Sequence, residues 1–143
     1  MYTYEYPRPA LTVDCIVLHR VQDQFNVLLI ERANPPFQGH WAFPGGFVDM
    51  DEDLETAVKR ELQEETGLQI SNPVQFHTFG APDRDPRGRT VSVVYYQTLE
   101  GPVPEVLGAD DAAKAQWFPV SDLPALAFDH EEIMEKLRGH LGI

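Results

Sequence analysis

Cysteine, long apolar runs and positive charge are all scarce in this sequence. The single cysteine, Cys15, excludes an internal disulfide, and its place in the alternation Val13, Cys15, Val17 predicts a small buried thiol rather than a nucleophile. No apolar stretch approaches the length of a membrane span, and the N-terminus lacks a basic region followed by an apolar run. We therefore expect a cytoplasmic protein that is neither secreted nor embedded in a membrane.

Acidic residues dominate the charge of the chain. The 23 Asp and Glu residues outnumber the 11 Lys and Arg residues, and the formal net charge is −12. This charge argues against a nucleic-acid partner, because a polyanion binds to cationic surfaces. Small phosphorylated ligands remain compatible with it, since a metal ion can bridge an acidic protein and an acidic ligand. Alternatively, the excess carboxylates only support solubility.

The length and the order of the predicted elements indicate one α/β domain over residues 1–143. Strands are predicted at 11–19 and 25–30, as a hairpin, and at 74–79, 90–99 and 115–119. A short aromatic segment at 41–43 precedes Gly45 and Gly46, which permit a sharp backbone turn.

Two helices are predicted. The first runs from 53 to 66, with Asp53 as its N-cap and Gly67 as its C-cap. The second closes the chain, and Asp129 with Glu132 forms an acidic variant of the capping box at its start. Its apolar stripe for the core consists of Ile133, Met134, Leu137 and Leu141.

The first helix carries carboxylates on its apolar face. At about 100° per residue, one face holds Leu54, Ala57, Val58, Glu61 and Glu65, with Glu64 at its margin. The opposite, solvent-facing side holds Glu55, Lys59, Gln63 and Thr66. Carboxylates beside a buried face cost desolvation unless a cation compensates, and Glu61 and Glu65 lie one turn apart, where they can share a divalent ion. Alternatively, the glutamates pair with Arg60 and Lys59 along a solvated helix.

The segment from Gly46 to Leu68 resembles the Nudix box. Its defining positions are filled by Gly46, Glu52, Arg60, Glu61, Leu62, Glu64, Glu65, Gly67 and Leu68. The similarity extends from Thr12, through the aromatic and glycine segment at 41–46, to Trp117 and the closing helix. The resemblance implies an α/β/α sandwich around a mixed β-sheet, in which the box forms a loop, a helix and a second loop.

The resemblance also implies a metal site and a catalytic group. Glu61 and Glu65 would be the main ligands of Mg²⁺, or of Mn²⁺ in its place, and the Gly46 carbonyl would complete the shell. Glu64 would be a further ligand or the group that orients or deprotonates water. Arg60 would complete the catalytic group, orienting the glutamates together with Glu52 through hydrogen bonds.

A later loop is expected to supply one more acidic residue. The candidates are Glu105, Asp110 and Asp111, of which Asp111 is preferred. Lys114 departs from the family pattern, since some relatives carry a glutamate three residues before the tryptophan. This lysine either contacts phosphate or is a solvated surface residue.

Three arginines in an acidic chain mark a candidate substrate site. Arg84 and Arg87 in the 83–89 loop, and Arg32 before a proline-rich loop, suit bidentate phosphate recognition. Alternatively, the loop arginines pair with Asp83 and Asp85.

Aromatic residues near the same loops are candidates for base recognition. Phe128 or Phe37 could stack on a nucleobase, and His130 could line the pocket without being catalytic.

The 83–89 loop, together with the segments 108–112 and 126–130, resembles the ADP-ribose pyrophosphatase-like branch of the family. The resemblance implies hydrolysis of the pyrophosphate bond of a nucleoside diphosphate linked to another group, such as ADP-ribose. The alternatives are hydrolysis of a nucleoside triphosphate, and a non-catalytic ligand-sensing module. Family habit also favours a homodimer, and the segment 2–9 either contacts a second subunit or packs on its own domain.

Overall fold

The computed structural model describes residues 1–108 and 112–143, and only the backbone of 112 and 113. The elements in this part of the chain are β1 (Ala10–Val21), β2 (Gln24–Arg32), β3 (Trp41–Ala42), β4 (Gly45–Phe47), α1 (Leu54–Thr66), β5 (Val74–Phe79), β6 (Thr90–Leu99), β7 (Ala112–Pro119) and α2 (His130–Leu141). Neither α1 nor α2 is long and apolar enough to cross a membrane. The candidates Asp110 and Asp111 lie outside the described residues.

The strands form one mixed sheet. β1 and β6 pair in parallel over ten residues, and the remaining pairs are antiparallel. The order across the sheet is β3-β2-β1-β6-β5, with β4 added to β1 and β7 added to β2. β1 is therefore the central strand, and its partners β2, β4 and β6 come from both halves of the sequence.

The hairpin of β1 and β2 opens away from its turn. The two strands pair only where residues 18–21 face residues 24–27. Beyond this point β4 pairs with β1 at residues 12–14, and β3 pairs with β2 at residues 30 and 31. The short segment from β3 to β4 thus fills the gap between two diverging strands, and a cavity forms beside it.

One helix covers each face of the sheet. Because side chains alternate along a strand, Val13, Cys15 and Val17 of β1 pack with the apolar side of α1. Ile16 and Leu18 point to the other face and pack with α2, whose Ile133, Met134 and Leu137 are fully buried. The predicted α/β/α sandwich is confirmed, and so is the apolar stripe of the closing helix.

The first helix has the predicted caps. Asp53 accepts a hydrogen bond from the Thr56 N–H at 2.8 Å, and Gly67 ends the helix in the left-handed region at φ 77°. The prediction that Thr66 faces solvent is wrong, since this residue is only 1% exposed. The loop before residue 109 covers it, and the Leu107 N–H donates to the Thr66 carbonyl.

The acidic capping box predicted for the second helix does not form. Asp129 precedes α2, but its side chain makes no hydrogen bond to the helix. Its two oxygens accept hydrogen bonds from Arg84 instead. A charged partner that lies 45 residues away in sequence has displaced the local cap, because charge-assisted bidentate bonds are stronger than a bond to one backbone N–H.

The lone cysteine is part of the core, as predicted. Cys15 is fully buried between β1 and α1, and burial raises the pKa of its thiol to about 12. The thiolate is therefore inaccessible at neutral pH, and the thiol acts as a small apolar group.

His130 links α2 to the segment between β3 and β4. Its ring is buried, stacks on Phe43 at 4.7 Å between ring centroids, and accepts a hydrogen bond at Nδ1 from the Phe43 N–H. Burial, with a smaller effect of Arg84 and Arg32, lowers the pKa of His130 from 6.5 to about 4. The imidazole is therefore neutral in the folded protein near pH 7.

We expect His130 to make the protein less stable in mild acid. Between pH 6.5 and 4 the unfolded chain binds a proton that the folded protein rejects, so the free energy of unfolding falls as the pH falls through this window. The loss from this residue between pH 7 and 5 is about 2 kcal/mol. His130→Asn keeps an acceptor for Phe43 and should remove this part of the pH dependence, as measured by urea unfolding. Equal pH dependence in the two proteins would contradict this account.

Candidate active site

A cavity of about 780 Å³, called the cleft below, opens where β1 and β2 diverge. This volume is within the range of pockets that hold small ligands. The cleft is lined by Gly46, Glu61, Glu64 and Glu65 of the box and by Asp14, Arg84, Arg87 and Phe128. Asp14 alternates with the β1 residues that pack on α1, so it lies on the opposite face of the sheet from the glutamates of α1. The structure thus brings the glutamates of the box and the arginines of the 83–89 loop to one site.

Gly45 and Gly46 lie between these two sides. The sharp turn that two glycines permit does not form here, since both belong to β4 and neither has a positive φ. They are required for close approach. A Cβ on Gly46 would lie 2.6 Å from the Glu61 carboxylate, and a Cβ on Gly45 would collide with the Val13 carbonyl and the Asp14 carboxylate.

Arg60 holds the carboxylates on the α1 side. It makes a bidentate pair with Glu52 at 2.6 and 2.9 Å, and it donates to Glu61 at 3.0 Å and to Glu64 at 3.1 Å. A fifth bond goes to the Phe47 carbonyl. These five bonds match the five N–H groups of a guanidinium. Arg60 therefore orients Glu61 and Glu64, and it neutralises part of their charge.

The three glutamates of the box differ in environment. Glu65 is buried and accepts a hydrogen bond at 2.7 Å from the Gly45 N–H. Glu61 is half-buried, and burial raises the pKa of its carboxyl despite the bond from Arg60. Glu64 is the most accessible, with 45% of its side chain exposed. Glu64 is therefore the one of the three carboxylates that is most open to solvent.

The pKa of Glu52 is shifted in the opposite direction from that of Glu61. The hydrogen bonds from Arg60 and from the Asp49 N–H lower the pKa of Glu52 to about 2. It stays ionised throughout the neutral and mildly acidic range, so it is a fixed partner for Arg60.

The carboxylates of Glu61, Glu64 and Glu65 are suitable ligands for a divalent cation. Oxygen donors are what hard divalent ions prefer, and the missing Cβ of Gly46 leaves room beside Glu61. Among the described residues, however, no three acidic, histidine or cysteine side chains converge at ligand distance. Glu61 and Glu64 are turned onto Arg60 and Glu65 onto the Gly45 N–H, so binding of an ion requires these side chains to turn.

Asp14 was not recognised in the sequence. It belongs to β1, only 8% of it is exposed, and it lines the cleft on the side away from α1. Burial raises the pKa of Asp14 to about 7, and Arg84 partly opposes this effect. The available signal was one acidic residue within an otherwise apolar strand from Val13 to Leu18.

Arg84 is embedded in a polar network on the same side. It is 5% exposed, forms a bidentate pair with Asp129 at 2.7 and 2.8 Å, and donates to Ser92 at 2.6 Å. Ser92 in turn is hydrogen-bonded to Thr12 of β1. The alternative that Arg84 pairs with Asp83 or Asp85 is therefore wrong. Three of its five N–H groups are used in tying the 83–89 loop to β6 and α2.

Arg87 and Arg32 lie over the ring of Phe128. The guanidinium carbons are 5.3 and 4.9 Å from the ring centroid, within the range of cation–π contacts. Arg87 also pairs with Asp85, as the alternative for this loop anticipated, and remains 44% exposed. Phe37 packs on Phe128 with centroids 5.0 Å apart, although Phe37 itself does not line the cleft.

The other candidate site residues either lie outside the cleft or stabilise the fold. Glu105 and Lys114 are exposed and do not line it. His130 lines it, as predicted, but its neutral buried ring is bound to Phe43.

The fold and the site define a class of protein. An α/β/α domain holds an acidic helix on one side of a nucleotide-sized cleft and arginines with an aromatic ring on the other, which suits metal-assisted chemistry on a phosphate compound. Residues 8–137 match the model of the NUDIX domain. The chain belongs to the Nudix family, which confirms the resemblance seen in the sequence.

Two relatives bear on the branch of the family. The ADP-ribose pyrophosphatase of Methanocaldococcus jannaschii is 43% identical over 130 residues, which are 91% of this chain and 73% of that protein. The ADPR responsive transcriptional repressor NtrR of Acinetobacter baylyi is 33% identical over 136 residues, 92% of this chain. The chain spans only 54% of the length of that repressor.

Two solved structures are similar in fold. The NUDIX domain of Shewanella oneidensis NrtR in complex with ADP ribose has a TM-score of 0.88 and 35% identity, covering 95% of this chain and 90% of that one. A bifunctional NMN adenylyltransferase/ADP ribose pyrophosphatase of Francisella tularensis, in complex with AMP and a Mn ion, has a TM-score of 0.85 and 31% identity. The match covers 96% of this chain and 43% of that protein.

We expect Gly46→Ala to inactivate the site while leaving the fold largely intact. The added methyl group would meet the Glu61 carboxylate at 2.6 Å and push it from its position. Displacement of a reacting group by about 1 Å costs on the order of 100-fold in kcat/KM. The measurement is phosphohydrolase activity alongside thermal unfolding.

Gly139→Ala is the matched control for this variant. Its added methyl has nothing within 4 Å outside the helix, so activity should be unchanged and stability should rise by about 1 kcal/mol or less. Full activity of Gly46→Ala would show that Glu61 does not need this close approach.

Proposed function

We propose that this protein hydrolyses the pyrophosphate bond of ADP-ribose or a similar nucleoside diphosphate derivative. Water adds across the P–O–P bridge, so that ADP-ribose gives AMP and ribose 5-phosphate. The observation that carries the proposal is the set of glutamates of α1 facing arginines and Phe128 across one cleft. The similarity to a named ADP-ribose pyrophosphatase, and to a NUDIX domain in complex with ADP ribose, supports the choice of substrate.

The residues that would hold a divalent ion are Glu61, Glu64, Glu65 and the Gly46 carbonyl. When bound, such an ion neutralises charge on the phosphate oxygens and lowers the pKa of water. Nudix hydrolases depend on divalent metal, and a Mn ion is present in the Francisella tularensis relative. We propose Mg²⁺ as the ion, with Mn²⁺ as a substitute.

The side chains of this protein have separate parts in the reaction. Arg60 holds Glu61 and Glu64 through its hydrogen bonds until these carboxylates turn toward the ion. Glu64, as the most accessible of the carboxylates, accepts the proton of the attacking water. Arg87 and Arg32 can donate bidentate hydrogen bonds to the phosphates from the opposite side of the cleft. Arg84 also lines the cleft, and two of its five N–H groups form no hydrogen bond with the described residues, so they can donate to phosphate.

The substrate class is tested by the products that form. Purified protein with Mg²⁺ should release AMP from ADP-ribose, as measured by chromatography, and should act poorly on nucleoside triphosphates. Release of pyrophosphate from triphosphates, with ADP-ribose left intact, would favour the triphosphate alternative. The panel should include nucleotide sugars and dinucleoside polyphosphates.

The glutamates are tested by isosteric substitution. Glu64→Gln and Glu65→Gln should each lower kcat/KM by about 100-fold or more, because the contribution of a metal centre to the barrier is several kcal/mol. The control is Glu55→Gln on the same helix, whose one ion pair among the described residues is an exposed one with Lys59 at 3.6 Å. Its turnover should match that of the wild type. Near-normal turnover in both site variants would exclude these glutamates from catalysis.

The arginine side of the cleft is tested through KM. Arg87→Ala should raise KM for ADP-ribose about 10-fold with a smaller change in kcat, since a charge-assisted bond to phosphate contributes about 1.5 to 3 kcal/mol. Arg89→Ala is the control, because Arg89 is exposed and does not line the cleft. An unchanged KM in Arg87→Ala would assign this arginine to its ion pair with Asp85 alone.

A second candidate function is sensing of ADP-ribose without turnover. It is favoured by the similarity to the ADPR responsive repressor. ADP-ribose that binds tightly but stays intact with Mg²⁺ and Mn²⁺ would support it. The intact glutamate set of the box favours hydrolysis.

Further expectations from the sequence stay predictions. They are the cytoplasmic location, the homodimer, the single domain over 1–143, the lack of a nucleic-acid partner, and the late acidic ligand. The segment 1–9 is exposed along its whole length, and there Tyr4 stacks with Tyr2 and lies under Arg8.

A further inference from the structure

Asp14 is a buried carboxyl that faces the cleft. On β1 it follows the alternation of Ile16 and Leu18, which point to the α2 side of the sheet. It pairs across the strands with Gly45, and its carboxyl lies so close to that glycine that a Cβ there would collide with it. Asp14 therefore lies opposite Glu61, with the backbone of β4 between them.

The described residues offer Asp14 no hydrogen-bond or ion-pair partner at bonding distance. The positive charge of Arg84 acts on Asp14, yet the hydrogen bonds of Arg84 go to Asp129 and Ser92. Ser92 is in turn bonded to Thr12. The polar groups around Asp14 therefore bond to one another, and no described residue donates a hydrogen bond to its carboxyl. Burying such a group is costly unless a ligand supplies the donor.

Among the parts of a nucleotide, a sugar hydroxyl is the group best suited to donate a hydrogen bond to Asp14. Phosphate oxygens accept rather than donate, and Asp14, Asp129 and Glu61 would repel them. Gly45 and Gly46 are neighbours, about 3.8 Å apart between Cα atoms, so a group on Asp14 lies close to the carboxylate side where the phosphates belong. A ribose is joined directly to a phosphate, whereas the adenine ring is farther along. A carboxylate bound to ribose hydroxyls is also a known solution in dinucleotide sites.

We propose that Asp14 binds substrate by accepting hydrogen bonds from the vicinal hydroxyl groups of a ribose. The inference rests on the proposed function for the identity of the ligand. It does not require turnover. The two oxygens of the carboxyl match the two donors of the diol, and a carboxyl accepts from a hydroxyl whether or not it carries a proton.

The test compares ligands that differ by one hydroxyl. Dissociation constants are measured by calorimetry for ADP-ribose, for its analogue with 2′-deoxyadenosine and for its analogue with a 2-deoxy terminal ribose, in EDTA so that nothing is hydrolysed. The wild type should bind one of the two deoxy analogues about 10- to 100-fold more weakly than ADP-ribose, since hydrogen bonds to charged groups contribute about 1.5 to 3 kcal/mol. The analogue that is penalised identifies which ribose Asp14 contacts.

The variants decide whether Asp14 causes this preference. Asp14→Ala should bind ADP-ribose and the penalised analogue with nearly equal affinity, and Asp14→Asn, which keeps one acceptor oxygen, should retain a smaller preference. Asp83→Asn is the control, because Asp83 is exposed and does not line the cleft. Its preference should equal that of the wild type, and thermal unfolding checks that each variant is folded.

Two results would overturn the proposal. One is a wild-type protein that binds both deoxy analogues as tightly as ADP-ribose. The other is a folded Asp14→Ala or Asp14→Asn variant that keeps the full wild-type preference. Failure of the proposed hydrolysis has a different signature, since ADP-ribose would then stay intact with Mg²⁺ while the preference and its loss in Asp14→Ala remain measurable.

Discussion

Strand β4 runs between two carboxyl groups that approach its backbone from opposite faces. Asp14 lies against Gly45 and Glu61 lies against Gly46, and any side chain at either glycine would occupy the space of a carboxyl group. The same strand anchors itself to Glu65 through the Gly45 N–H. The pairing of β4 with β1, the distance of α1 from the sheet and the floor of the cleft therefore all depend on this close approach.

An acidic protein must hold such carboxyl groups in place with few cations. Arg60 does so for Glu61 on the α1 side with all five of its N–H groups, whereas Arg84 on the α2 side binds Asp129 and Ser92 and makes no bond to Asp14. Buried ion pairs contribute little net stability, because desolvation offsets their attraction. Their value here is geometric, since each arginine fixes groups from separate elements around the cleft.

The two sides of the cleft have different chemical characters. Glu61, Glu64 and Glu65 suit the binding of a divalent ion, which would neutralise phosphate and activate water, whereas Arg87 and Phe128 suit recognition of the ligand. A domain divided in this way can keep its ligand and lose its reaction if only the acidic side changes. This division is consistent with relatives that are named as a pyrophosphatase and as a responsive repressor.

Local patterns predicted the features that depend on neighbours in the chain. The caps of α1, the amphipathic spacing of Glu61 and Glu65, the burial of Cys15 and the family box could all be read within one helix or strand, because each involves residues a few positions apart.

Tertiary structure decided the rest. The side chain of Asp129 binds Arg84, 45 residues earlier, instead of capping α2. Thr66 is buried, and the loop that includes Leu107 is hydrogen-bonded to it. Gly45 and Gly46 permit a sharp turn, yet they form a strand. They are glycines because carboxyl groups of β1 and α1 occupy the space that a Cβ at either position would take. Asp14 faces the cleft only because β1 and β2 diverge. Such contacts join segments far apart in sequence, so neither hydrophobic periodicity nor capping residues can predict them.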